Sequence, residues 1–387
     1  MQFLGVFAAF FVALLLAMGS NWIALLRFPS AEIHWTLRAR KLYPIRRSAW
    51  LNIWLIPGMY GITHLLATHG QEPLLSAGLA VAAWAGAILG TYPFDKKTFP
   101  QFSFKIWMRC VYGSWVMRFG VLGVLILGGM IMPEEFDWQL VLIGCVVIGL
   151  QAAIHFGLWL WLGKITGFLV LAKESDPISG IVRRTSEKMQ VPYRRIWIMR
   201  NPVGYAAAFP TTHDLIFSEG LIVEHPEEEI EAICAHELAH LSEPRRTVFA
   251  RVAAAMSLCP LIFIRPMVHA FDFLGVAILL MPLVFTTVFF RRLRRRMEVR
   301  ADAVANQNAV EEGVYARALE RLYRANQVPA VMPGKRQVHP HLYDRLLAAG
   351  VAPDYPRPEP PPTFHWTSGL MYLVLVILFA ALLCTQQ

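Results

Sequence analysis

Apolar runs long enough to cross a bilayer are the feature that most restricts how this chain folds. Eight such runs occur, at about 3–26, 50–67, 75–90, 107–132, 138–172, 248–264, 271–290 and 366–384. The hydrocarbon core offers no water to the backbone, so a run of about 20 apolar residues crosses it as a helix. The mean hydropathy of +0.45 agrees with this. We therefore predict a mainly α, polytopic membrane protein.

Basic residues are concentrated in alternate loops, and this pattern predicts the topology. Arginine and lysine are frequent at 27–47 and 96–105, whereas the turns at 68–74 and 133–137 contain neither. Because positively charged loops stay in the cytoplasm, we expect the amino terminus outside and the segment after Ala172 inside. Eight spans then put both termini outside. In a bacterium this would be the inner membrane, with the segment after Ala172 on its cytoplasmic side.

The positive charge does not indicate nucleic-acid binding. The formal net charge is +9, but the basic residues lie at the ends of apolar runs, and the arginines at 291–296 follow one directly. We interpret that run as a membrane stop rather than a nucleic-acid patch. The five cysteines fall mostly within apolar runs and show no paired spacing, so we expect neither a disulfide framework nor a cysteine-rich metal site.

Two polar regions carry the composition of a water-soluble domain. The first is predicted to contain a helix at 178–189 and strands at 195–199, 204–209 and 215–217. The predicted organisation is a membrane domain (1–172), a first catalytic part (173–247), a transmembrane hairpin (248–290), a second catalytic part with a proline-rich linker (291–363) and a last span (364–387). An apolar hairpin therefore interrupts a small α+β domain.

The first polar region ends in the motif His-Glu-Leu-Ala-His at 236–240. On a helix, residues four apart share a face, so His236 and His240 can bind one metal ion while Glu237 reaches a water molecule. Pro226 and the glutamates at 227–229 suit a helix start. The alternative is that both histidines are ordinary polar-face residues. The spacing favours a zinc site with Glu237 as general base.

Zinc in hydrolases usually has three protein ligands, so one more ligand is required. Glu298 and Asp302 follow the hairpin and lie four apart on a predicted helix. The first carboxylate can bind the metal and the second can hold a ligand imidazole through its other nitrogen. Pairing of both with the nearby arginines is the structural alternative, and Glu243 is a rival ligand by helical spacing.

The combination of 226–240, two spans and Glu298-x-x-x-Asp302 resembles the integral-membrane zinc metallopeptidases that include the heat-shock protease HtpX and the CAAX prenyl proteases. The resemblance covers about 175–347. It implies a gluzincin-like catalytic domain with one Zn²⁺ per chain. By this resemblance the metal would be bound by His236, His240 and Glu298. Glu237 would be the general base, and Asp302 would hydrogen-bond a ligand imidazole without touching the metal.

Two further segments match that family. An active-site edge strand that pairs with extended substrate corresponds to Gly204, Tyr205, Ala206, Ala207 and Ala208, although the asparagine often found there is absent. His339, followed by Pro340, and the downstream Arg345 correspond to a His-Pro and an arginine of the family. We expect His339 and Arg345 to assist catalysis. Capping or surface pairing is the alternative.

The function that follows is a zinc endopeptidase that cleaves membrane-associated or misfolded proteins at the cytoplasmic membrane face. CAAX-type processing is an alternative within the same family. A site-2-type intramembrane protease is disfavoured because charged residues flank the motif on both sides. A scaffold or transporter with a structural zinc site is the alternative of another class. Such sites usually have four protein ligands and no use for a general base.

Overall fold

The computed structural model describes residues 2–26, 28–30, 32–68, 71–334 and 340–384. These divide into two compact units. The first consists of 1–107, 327–329 and 359–387, and the second of 108–326 and 330–358. His339 lies outside the described residues, so its predicted role stays a prediction. The domain boundaries predicted from the sequence also stay predictions.

Helices dominate both units. In chain order the α-helices are α1 (Gln2–Leu25), α2 (Trp35–Ala67), α3 (Pro73–Leu89), α4 (Tyr92–Thr98), α5 (Phe104–Ile131), α6 (Trp138–Ala153), α7 (Trp159–Ile165), α8 (Pro177–Met189), α9 (Glu219–Glu224), α10 (Glu227–Leu241), α11 (Arg245–Met256), α12 (Ile264–Asn308), α13 (Val314–Ala325), α14 (Leu342–Ala348) and α15 (Trp366–Cys384). A π-helical turn (Ile154–Leu158) joins α6 to α7, and a 3₁₀ turn (Cys259–Phe263) precedes α12. The fold is mainly α, as the sequence predicts.

The first unit is a bundle in which α1 and α2 pack against α3, and α15 packs against α2. Alanines allow the close approach of α1 and α3, with Ala13 and Ala83 both fully buried. At Gly86 a Cβ atom would lie 2.1 Å from the carbonyl oxygen of Phe10, so this crossing requires glycine. One expectation is wrong here: the basic stretch before 50 is not a loop, because α2 already begins at Trp35.

The second unit contains a four-stranded sheet. The strands are β1 (Leu169–Leu171), β2 (Arg195–Met199), β3 (Ala206–Phe209) and β4 (Asp214–Ser218). Their order is β1-β2-β4-β3. Only the β2–β4 pair is parallel, and β3 forms one edge of the sheet. The fifth apolar run extends to 172 in the sequence, whereas its helix ends at Ile165. Gly167 then takes a positive φ of 66° and β1 follows.

The two faces of this sheet have different neighbours. Leu215 and Phe217 of β4 and Ile196 of β2 belong to a buried core shared with α8 and α10, against which Ala206 and Ala208 of β3 also pack. Successive strand residues point to opposite faces. Phe209 of β3 therefore faces the other side, where its ring packs against that of Trp159 of α7.

The hairpin bends later than expected. The sequence predicts a turn at 265–266, but α12 continues through it and breaks at Asp272, which has φ 49° and ψ −137°. Beyond this break α12 is helical through Pro282 to Asn308. One helix therefore carries both the second apolar run of the hairpin and the predicted metal-binding residues Glu298 and Asp302.

Several helices are suited to a bilayer. Among the described residues, four helical stretches are long and apolar enough to cross a membrane, at Leu4–Leu25, Leu74–Thr98, Trp138–Ile165 and Arg245–Asn308. They coincide with the first, third and fifth predicted spans and with the hairpin. The protein is thus a multi-pass membrane protein, and the remaining predicted spans stay predictions.

Candidate metal centre

The predicted motif helix forms as α10, and local sequence explains its limits. Pro226 caps its amino end with an extended backbone, and three glutamates occupy the first turn, where they oppose the helix dipole. From Ile230 onward nearly the whole helix is buried, including His236 and His240 at 9% and 7% exposure. Buried imidazoles require partners, and the surrounding helices supply them.

Three predicted metal ligands converge on one point. The Nε2 atoms of His236 and His240 lie 3.6 and 3.7 Å from Oε2 of Glu298, and the three ligand atoms all lie within 4.8 Å of one another. Ligands bonded to tetrahedral zinc at about 2.0–2.1 Å are themselves about 3.3 Å apart. Two imidazoles and one carboxylate at these spacings fit a zinc site of the hydrolytic type.

The first predicted ligand, His236, contacts two side chains through its Nδ1 atom. Its Nδ1 lies 3.2 Å from Oδ1 of Asp302 and 2.7 Å from the hydroxyl of Tyr315. The hydroxyl also donates to Asp302 over 2.9 Å. Arg345 of α14 contacts both Asp302 and Tyr315. Such contacts fix the ring orientation and leave Nε2 directed at the metal position.

The second predicted ligand, His240, has a separate set of partners. Its Nδ1 lies 2.7 Å from Oε1 of Glu243, whose side chain is 2% exposed. Arg251 of α11 pairs with the same oxygen, and its Nη2 lies 3.5 Å from the imidazole Nδ1. Glu243 therefore contacts the Nδ1 side of His240 and is not one of the clustered ligand atoms. Asp302 contacts His236 in the same way.

The electrostatics of the cluster favour a cation. Burial acts to lower the pKa of His240, but Glu243 and Glu298 outweigh it and raise this pKa to about 9. For His236 burial likewise acts downward, and its bonds to Asp302 and Glu298 give a net raised pKa. Carboxylates thus dominate the field at both imidazoles. A divalent cation would satisfy that field.

Burial raises the pKa of Tyr315 well above its usual value. Its hydroxyl is therefore neutral and keeps its proton, as the hydrogen bond to Asp302 requires.

The predicted general base and edge strand lie beside these ligands. Glu237 follows His236 on α10 and is 8% exposed. β3 packs against α10 and leaves one edge unpaired by the described strands. The chain entering β3 is fixed on two sides, because Asn326 donates to the carbonyl of Gly204 and the backbone N–H of Tyr205 donates to Oγ of Ser218.

Several residues of the centre escaped the sequence reading. Tyr315 lies on α13 with no motif around it, and Arg251 lies inside an apolar run. Only Glu243 has a usable signal, because its helical spacing from the motif marks it, although as a rival ligand. The sequence predicts that Arg345 assists catalysis. Its described partners include Asp302, Tyr315 and Tyr323, so it contacts the side chains that hold His236, and its role in catalysis stays a prediction.

The region that contains this centre resembles known peptidases in sequence. Residues 172–350 match Peptidase family M48, whose metallopeptidases are zinc-dependent in general. A "Protease HtpX homolog" of Acaryochloris marina is 29% identical over 200 residues, which is 45% of this chain and 67% of the relative. Another of Nostoc punctiforme is 28% identical over 212 residues, covering 47% and 71%.

A solved structure, "Crystal Structure of S. mikatae Ste24p", resembles the whole fold. It aligns with a TM-score of 0.53 at 14% identity, and the alignment covers 90% of this chain and 98% of that one. At this identity the likeness concerns the fold. It extends beyond the region shared with the sequence relatives and includes the membrane helices.

Proposed function

We propose that this chain acts as a membrane metallopeptidase of the HtpX and CAAX prenyl protease kind, in which His236, His240 and Glu298 hold the catalytic zinc of an endopeptidase. The match to Peptidase family M48 and the likeness to the two HtpX homologues support this. One observation carries the proposal. Two segments on either side of an apolar hairpin bring three ligand atoms within 4.8 Å of one another, next to Glu237. A merely structural site would have no use for that glutamate.

The chain's own residues divide the work of peptide hydrolysis. His236, His240 and Glu298 would hold the zinc ion, which when bound would supply a water molecule of lowered pKa and a Lewis acid for the scissile carbonyl. Glu237 accepts the proton of the attacking water and passes it to the nitrogen of the leaving amine. Asp302, Tyr315 and Glu243 keep both imidazoles in the tautomer and orientation that direct Nε2 inward.

Substrate would be held in an extended form. β3 is an edge strand with Gly204 to Ala208 beside α10, and a peptide can add to such an edge through its backbone. Main-chain pairing places a peptide bond in line with the metal without demanding a particular sequence. The substrates we propose are membrane-associated or misfolded proteins, and the site lies at the cytoplasmic membrane face.

The test uses the purified full-length protein in detergent. Glu237→Gln keeps the shape of the side chain but removes the base, so we expect zinc content near one per chain and cleavage reduced by about 10²-fold or more. Glu228→Gln, in the exposed first turn of α10, is the matched control and should cleave normally. Equal cleavage by wild type and Glu237→Gln would refute the mechanism.

The substrate set separates the two functions within the family. An unfolded membrane protein and a prenylated peptide with a C-terminal CAAX sequence are offered in parallel to the same preparations. Cleavage of the first favours protein quality control, and selective cleavage of the second favours CAAX-type processing.

A further inference from the structure

A cavity lies near the metal centre, on the face of the sheet that is turned away from α10. Its volume is about 300 Å³, and its lining includes Ile154, Trp159, Met199, Tyr205, Phe209 and Val252. Arg251 also lines it, and the Nη2 atom of this residue lies 3.5 Å from Nδ1 of His240. One side chain therefore lies both in the wall of the cavity and against a predicted metal ligand.

Strand alternation connects this cavity to a bound peptide. Ala206 and Ala208 pack into the core below α10, whereas Tyr205 and Phe209 line the cavity. A peptide paired with the edge of β3 that no described strand occupies alternates in the same way. Every second substrate side chain would then point toward α10 and the metal, and the intervening ones toward the cavity.

A distortion in the membrane helix builds the far wall. The π-helical turn at Ile154–Leu158 interrupts the helix, and Gly157 takes a positive φ of 108°. The hydroxyl of Thr211, just after β3, donates to the carbonyl of His155 over 3.0 Å. The ring of Phe209 lies 4.6 Å from that of Trp159 between centroids. The edge strand is thus tied to the membrane helix, and the cavity has fixed walls.

We propose that this cavity is a specificity pocket that receives a bulky apolar side chain, aromatic or branched aliphatic, from a substrate peptide paired with β3. The inference rests on the proposed peptidase function and adds the substrate class. A cavity of about 150 Å³ lined by apolar groups holds benzene, so 300 Å³ accommodates a phenyl or indole group. Trp159 and Phe209 supply aromatic walls, and polar groups are added by Ser114, His155, Asn201, Thr211 and Arg251. Apolar walls with convergent polar groups are typical of ligand pockets.

The experiment measures cleavage of peptides that differ at one position. Zinc-loaded full-length protein in detergent is offered a peptide in which each position around the cut is replaced in turn by Phe, Leu, Ala or Gly. At one position we expect kcat/KM for Phe or Leu to exceed that for Gly by about 10- to 100-fold, the effect of burying one large apolar side chain. Its immediate neighbours should show no such preference, because they point to the other face.

A pocket-filling variant makes the assignment specific. Val252→Phe narrows the cavity, so the preference for Phe over Gly should fall below about threefold while cleavage of the Gly peptide persists. Ala253→Phe is the matched control, because Ala253 is the next residue on α11, is exposed and does not line the cavity. It should keep the wild-type preference. An unchanged preference in Val252→Phe, or no size preference in wild type, overturns the proposal.

Binding measurements separate this proposal from the peptidase function. In the Glu237→Gln background, fluorescence polarisation of the same peptides reads the preference without turnover. One outcome supports the pocket and refutes the peptidase proposal. In it, wild type cleaves no peptide, Glu237→Gln binds the Phe peptide more tightly than the Gly peptide, and the Glu237→Gln/Val252→Phe double variant binds both equally. If the double variant prefers the Phe peptide over the Gly peptide as strongly as Glu237→Gln does, the pocket is refuted. This binding comparison decides the matter even if Val252→Phe alone cleaves no peptide.

Discussion

The carboxylate of Glu243 offers the sharpest test of how the metal centre is built. It lies 2.7 Å from Nδ1 of His240 and is 2% exposed, and Arg251 contacts the same oxygen. If this carboxylate orients the imidazole, replacing it should weaken zinc binding although it is not a ligand. If it were only a surface ion pair, its loss would cost less than about 1 kcal/mol and leave the metal unaffected.

The contacts set the expected size of the effect. Loss of a group that orients a metal ligand costs about 10- to 100-fold in metal affinity. Glu243→Gln keeps an acceptor oxygen at the same reach and loses only the charge, so we expect about tenfold, or about 1.4 kcal/mol. Glu243→Ala removes the acceptor and leaves Arg251 without this partner, so we expect about 100-fold.

Zinc affinity is measured by competition with a chelator on purified protein, with thermal unfolding as the check on folding. Glu228→Gln makes the same chemical change in an exposed position of α10 and should bind zinc like wild type. The reasoning is wrong if Glu243→Gln and Glu243→Ala both bind zinc within about twofold of wild type, the scatter allowed for an uninvolved residue.

Two more variants test other supports of the site. Tyr315→Phe removes one of two contacts to the first imidazole and leaves Asp302, so its zinc affinity should fall less than that of Glu243→Ala, by up to about tenfold in the same chelator competition. Asp214→Asn breaks the two-point pair of a fully buried carboxylate with Arg195, and because the arginine is 36% exposed we expect a loss near 3 kcal/mol in denaturant unfolding, with zinc stoichiometry unchanged. Glu227→Gln, in an exposed ion pair, should lose less than about 1 kcal/mol by the same measurement.

The sequence predicts those parts of the site that depend on local order. The spacing of His236 and His240 fixes their shared face once the segment is helical, and α10 forms where Pro226 and the following glutamates predict it. Glu298 and Asp302 could be proposed because they too share a helix. Whether these two carboxylates contact the histidines depends on tertiary structure, and the structure shows that they do.

The rest could not be predicted because it depends on contacts between distant segments. Tyr315 reaches His236 from 79 positions away, and no motif marks it. The strand β1 follows directly on an apolar run, so hydropathy assigns it to the membrane. The π-helical turn at Ile154–Leu158 has no signal in the hydrophobic periodicity. The hydroxyl that donates to the carbonyl of His155 in this turn belongs to Thr211, which lies 56 positions further along the chain.

The hairpin that separates the ligands also sets the position of the third. From the break at Asp272, α12 runs to Asn308 and carries an apolar stretch followed by Glu298. At about 1.5 Å per residue, roughly 26 residues of helix separate the break from the ligand and span about 39 Å. A helix transmits its position far better than a flexible loop, and α12 packs directly against α10. The helix that carries the apolar stretch therefore also positions Glu298 against α10, where both imidazoles lie.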